Sequence, residues 1–208
     1  MVGEIKKQIW ILTVLILLLS TTFSGCLDIN CAYIPDSVLT GRWYENASLR
    51  NTGSQFLGLE KWCGSVYEIN GKYPASLTVT TLKTLVLTNE EELEKKTKEA
   101  IEETFGDSIQ LNESINGERT LLKKHKTMYV VYDGRYINKN EEVKIIGEVW
   151  NCGDSGTSII CMGIVHITNN ENPTIQNTDN WQKMVMDPKG TIENFTGEDG
   201  LIYNIHCH

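Results

Sequence analysis

Positive charge is scarce in this chain. Its 208 residues hold 19 Lys and Arg against 27 Asp and Glu, a formal net charge of −8. Without residues 1–25, which carry Lys6, Lys7 and Glu4, 17 basic and 26 acidic residues remain, a net −9. Nucleic-acid binding is driven by Lys and Arg against phosphate, so this balance argues against nucleic acid as a partner. It argues equally against anionic lipid headgroups. The phosphate-cradling glycine loop, the zincin helix and the Walker-type motif are also missing. No internal repeat and no low-complexity linker interrupts the chain, so it reads as one domain. No cofactor is expected.

What is present begins at the first residue. Lys6 and Lys7 precede an uncharged run from Ile9 to Leu19, and a small-polar segment ends at Phe23-Ser24-Gly25-Cys26. A positive start, an apolar middle and a small-residue end mark an export signal. Gly25-Cys26 resembles a lipobox, where cleavage before Cys26 leaves a lipidated cysteine. Phe23 stands where such boxes usually carry leucine. Two alternatives stay open: an uncleaved signal anchor over Ile9–Gly25, short against the roughly 20 apolar residues of a spanning helix, and cleavage with release. The first two readings place the two lysines inside and the rest of the chain outside. Residues 1–25 are therefore expected as signal peptide or anchor, 26–58 as tether and irregular region, and 59–208 as the domain.

The six cysteines are Cys26, Cys31, Cys63, Cys152, Cys161 and Cys207. An exported chain can keep disulfides. If Cys26 carries lipid, five remain and one stays unpaired. The expected bridges are Cys152 with Cys161 and Cys31 with Cys63, leaving Cys207 free or loosely held. The sequons at Asn46, Asn112 and Asn194 are candidate glycosylation sites.

Hydrophobic patterning predicts an α+β chain. Strands are expected near Arg42–Tyr44 and over Lys61–Ile69, Ala75–Thr88, Thr120–Tyr132, Glu142–Cys152 and Ser158–Thr168. The clearest helix is Asn89–Phe105, with Thr88 and Glu91 as a capping box, Gly106 after its end, and Glu91–Lys95, Glu92–Lys96 and Glu94–Lys98 as surface pairs. A short helix capped by Asp179 carries Trp181, Met184 and Val185. Asp187–Gly190 reads as a turn. The expected architecture is a single antiparallel sheet of about five to seven strands with two helices packed on it, after the N-terminal signal or anchor. Pairing Cys152 with Cys161 sets Trp150 opposite Gly163 and Val149 opposite Ile164.

Three candidate sites follow. Cys152-Gly153-Asp154-Ser155-Gly156, with Ile159-Ile160-Cys161 and Gly163-Ile164-Val165, resembles the nucleophile region of trypsin-like serine proteases, and the resemblance makes Ser155 the nucleophile. The triad of that family needs a histidine and an aspartate upstream. The only upstream histidine, His125, lies 30 residues away inside LKKHKT, and GDSG is also good turn chemistry. His206 and His208, flanking Cys207, are of zinc- or copper-binding type. His125 and His166 read as solvent-facing or core-edge residues on strands. Trp43, Tyr44, Trp62 and Tyr67 read as core packing.

The element order, a strand pair, a long helix, three long strands and a closing Trp-bearing helix over roughly Trp62–Val185, resembles the PsbP-like α+β sandwich. That resemblance implies an antiparallel sheet with helices on its faces and a non-enzymatic accessory role. The expected function is a membrane-tethered extracytoplasmic lipoprotein acting as a non-catalytic binding or accessory module, with a protein partner at the cell surface or a small ligand. The alternatives are a serine hydrolase using Ser155 and a metal-binding module using His206 and His208.

Overall fold

The computed structural model describes residues 29–169, 171, 175–186 and 200–207. Cys26, Asn194, His208 and the expected turn at Asp187–Gly190 lie outside them. The strands are β1 (Tyr44–Glu45), β2 (Asn51–Gln55), β3 (Glu60–Ile69), β4 (Ala75–Thr84), β5 (Ile109–Thr120), β6 (Lys126–Tyr136), β7 (Glu142–Cys152) and β8 (Thr157–His166); the helices are α1 (Glu90–Phe105) and α2 (Asp179–Val185). The strands form one eight-stranded antiparallel sheet in the order β1-β3-β4-β8-β7-β6-β5, with β2 pairing β3 beside β1. Among the described residues the fold is thus α+β, one sheet with two helices, and the strand count exceeds the expected five to seven.

The extra strands come from segments whose patterning is weak. β5 (IQLNESINGERT) is a polar edge strand, buried only at Ile109 and otherwise alternating between half-buried and exposed residues, with a break at the bulge near Ser114. Residues 26–58, expected as tether and irregular chain with one short strand near Arg42–Tyr44, hold that strand as β1 and also β2 and three short 3-10 turns. Cys31 is bonded to Cys63 on β3. The folded part of the chain therefore reaches back at least to Cys31.

Each face of the sheet is covered differently. α1 crosses one face, with Leu93, Thr97 and Ile101 buried at helical spacing. Its cap is Asn89, whose side chain accepts from the Glu92 N–H at 2.7 Å, rather than the expected Thr88. Lys96 and Lys98 pair with Glu92 and Glu94, while Lys95 turns to Glu99 instead of Glu91. Gly147 on β7 lets the helix approach: a Cβ there would stand 2.6 Å from Thr97 Cγ2 and 2.9 Å from Ile101 Cδ1.

The opposite face holds the larger core, formed with Trp150, Tyr67, Leu77, Val79, Ile146 and Ile159. Its roof is made by both ends of the described chain and by α2. Ala32, Ile34 and Trp43 come from one end; Leu201, Ile202, Ile205 and Cys207 from the other. Trp181, Met184 and Val185 of α2 are buried, as their spacing predicts, and Gly163 leaves room for Met184. Asp179 lies inside the first turn of α2 with Thr178 at the cap, and its own N–H is held by Asn177. The two roof segments join through reciprocal backbone hydrogen bonds of 2.9 Å between Tyr33 and His206. Because both faces are covered at the sheet centre, β7 reads as a nearly continuous buried run rather than an alternating one.

The expected β7–β8 register is corrected. Cys152 pairs with Thr157, Trp150 with Ile159, Ile146 with Gly163 and Glu148 with Cys161. A Cys152–Cys161 pairing needs an eight-residue loop. The GDSG segment instead closes a four-residue turn, with the Gly156 N–H on the Cys152 carbonyl at 2.9 Å and Gly156 at φ +62. The shift is even, so every side chain stays on its expected face. Cys152 then meets the roof and is bonded to Cys207, while Cys161 is buried and unbridged. Cys207, expected free or loosely held, is 2% exposed.

Candidate functional sites

Three donors of metal-binding type converge under the C-terminal roof. His125, Cys152 and Cys207 place their ligand atoms within 4.8 Å of one another. His125 is carried by the β5–β6 turn, where Leu121 N–H bonds back to the His125 carbonyl and Lys124 adopts φ +63. Its Nε2 lies 3.4 Å from Cys207 Sγ, and its ring stacks on Trp150. The two sulfurs are bonded to each other, so the cluster offers a cation one imidazole and no thiolate. A thiolate, not a disulfide sulfur, is the metal ligand. His206 sits elsewhere: its ring packs on Tyr33 at 5.5 Å between centroids.

Ser155 lies in the β7–β8 turn, half-buried. Its hydroxyl bonds the Cys152 carbonyl at 3.3 Å and the Thr157 hydroxyl at 2.6 Å. Neither partner is a base, so these contacts hold the turn rather than activate the oxygen.

A polar recess of about 660 Å³ opens where β5, β6 and β7 run beyond the roof. Asp133 and Lys144 form one ion pair on its floor and Arg135 and Glu142 another, the second joined by Gln176. With these charges already engaged, a ligand entering here would meet mostly neutral polar groups. Asn112, one of the sequon residues, is exposed on the rim. Asn46 is half-buried and caps a 3-10 turn; its Nδ2, the atom a glycan would take, donates to Glu68 at 2.9 Å. His166 is half-buried at the recess end of β8, stacked on Tyr136.

A buried charge pair escaped the sequence reading. Glu148 is 0% exposed in the larger core. Arg119 of β5 donates to both of its carboxylate oxygens, through Nε at 2.8 Å and again through a second nitrogen, and Thr127 donates at 2.7 Å. The third Arg119 contact goes to the Val185 carbonyl at the end of α2, so the ion pair also ties the roof to the sheet. Cys161 stands across the ladder from Glu148; burial pushes its thiol well up, and the neighbouring carboxylate adds to this. The signal was a lone carboxylate inside the apolar run VKIIGEVW.

No family model, curated protein or solved structure matches the chain.

Proposed function

We propose that the protein is a non-catalytic binding or accessory module held on the extracytoplasmic face of a membrane by its N-terminal segment, with Cys26 carrying lipid. Cysteine accounting carries this reading. Lipid on Cys26 leaves an odd number of cysteines, and an exposed odd thiol would be a liability outside the cell. Two bridges take Cys31, Cys63, Cys152 and Cys207, and the fifth, Cys161, is 0% exposed. The five cysteines of the described residues are thus accounted for without Cys26. Paired cysteines also suit an oxidising compartment. The non-catalytic part is supported by the contacts of Ser155, which hold a turn, and by the engaged charges of the polar recess. The PsbP-like resemblance lends no weight to this reading, since it rests on three strands between the helices and the structure has four there.

The test is the intact mass of protein extracted from membranes, before and after reduction and alkylation. A mass starting at Cys26 plus lipid, with two bridges and one thiol reactive only after unfolding, is the expected result. Retention of Met1 with no lipid would replace the lipoprotein with a signal anchor. Absence from the membrane fraction would remove the tether altogether. Labelling of Ser155 by a fluorophosphonate would overturn the non-catalytic part.

A further inference from the structure

One corner of the sheet exposes large apolar side chains together. Phe56, Leu59, Leu85, Val86 and Leu87 are 69, 42, 67, 80 and 40% exposed. The last rung of the β3–β4 ladder pairs Glu60 with Thr84, so Leu59 and Leu85 follow it side by side, with Phe56 in the turn before β3. Leu122, 46% exposed in the β5–β6 turn, stands at the same end of the sheet. Five of the eleven exposed large apolar residues described therefore stand at this corner, with Leu122 at the same end but across the sheet. Contiguous exposed apolar surface marks an interaction site.

The path of the chain says what this corner faces. Ile34 N–H bonds the Tyr67 hydroxyl, Ala32 N–H bonds the Thr81 hydroxyl, and Cys31 is bonded to Cys63. Tyr67 pairs with Leu77 and Cys63 with Thr81, so the chain followed backwards runs along the sheet towards the corner. Thr81 is three residues short of Thr84, roughly 10 Å along the strand. From Cys31 back to Cys26 there are five steps, at most about 18 Å of extended chain. A domain tethered so briefly cannot stand clear of the surface that holds residue 26, and the corner is the end of the sheet towards which the chain runs back at Cys31.

We infer that this corner dips its apolar side chains into the lipid interface beside the anchor. The partner is the bilayer surface itself, and the inference rests on the tether proposed above. It holds equally for a lipidated Cys26 and for an uncleaved signal anchor, since both bring the chain out of the membrane at the same place. Lys61 and Lys83, paired one rung inside the last β3–β4 rung, stand at headgroup depth, where long basic side chains keep their stems in apolar surroundings and their ammonium groups in water. Glu60, Asp154 and the acidic first turn of α1 share this end of the sheet, so the contact is apolar before it is electrostatic and requires no anionic lipid.

The experiment uses the full chain in phosphatidylcholine vesicles containing a phospholipid with a diazirine high on one acyl chain. After irradiation, cross-linked peptides are mapped by mass spectrometry. Label is expected on the N-terminal segment and on peptides carrying Phe56–Leu59 and Leu85–Leu87. None is expected on Ile137, which is 60% exposed just past the opposite end of β6. Val86→Asp with Leu85→Asp, both on exposed positions, should abolish the second set and leave the first. Label confined to the N-terminal segment overturns the inference and leaves the tether standing. Label at the corner without the N-terminal segment removes the tether and keeps the lipid contact. A doubled particle mass that the two aspartates abolish would assign the corner to a second copy of the chain and overturn it.

Discussion

The Arg119 guanidinium meets the Glu148 carboxylate along two donor–acceptor lines in the middle of the larger core. Thr127 satisfies a further lone pair, and the remaining arginine nitrogen reaches the Val185 carbonyl. A buried pair of this kind is costly to break from one side, because the partner is left charged and unpaired. Arg119→Met alone should lower stability by about 3–5 kcal/mol, while Arg119→Met with Glu148→Leu should recover most of that loss. Urea midpoints of the two variants check this. A single variant as stable as the parent would show that the pair does not hold the core.

Cys161 should be silent in the folded protein. It is fully buried, and burial with the nearby carboxylate holds its thiol well above the ordinary value, so the reactive thiolate is rare. Iodoacetamide should leave Cys161 unmodified in native protein and modify it in denaturant without reductant, as read by peptide mapping. Native labelling at stoichiometric yield would contradict the placement of Cys161.

The Cys152–Cys207 bridge closes a separation of 55 residues and fastens the C-terminal roof. Chain entropy alone assigns such a loop about 4 kcal/mol. Cys207→Ser should lower the unfolding free energy by that order and expose the segment 200–207 to carboxypeptidase. Disulfide mapping should find Cys152 linked to Cys207; a Cys152–Cys161 peptide would restore the long-loop hairpin register.

His166 should contribute a pH dependence. Burial lowers its imidazole below the ordinary 6.5; Glu141 opposes the shift and Lys139 adds to it. Between the lowered folded value and 6.5 the unfolded chain binds more protons, so stability rises with pH across that window. The contribution is present above 6.5 and lost as pH falls through the folded value. The parent should gain in urea midpoint between pH 5 and 7.5 by more than His166→Gln does. An equal gain in both would place the effect on other groups.

Much of the architecture was legible in local sequence. β7 ends at Glu142 and Cys152, as its apolar run and flanking turns predict. The helix over Glu90–Phe105 and the short helix around Trp181 follow from spacing and punctuation. These signals are local: an amphipathic period or a glycine turn acts within a few residues. β5 was not legible, because a polar edge strand buries too little to leave a pattern.

The sequence by itself determined the class of the chain, its central strands and helices, and the faces their side chains take, because period 2 and period 3.6 are written residue by residue. It also carried the N-terminal pattern on which the proposed localisation rests. Only the tertiary structure decided the partner of Cys152, the burial of Cys161, the Arg119–Glu148 pair and the roof built from both chain ends. Each of these depends on which distant segment arrives over the sheet, a matter of loop closure and packing volume. The apolar corner is of the same kind: Leu59 and Leu85 are 26 positions apart in sequence and come to one end of adjacent strands only when β3 and β4 pair.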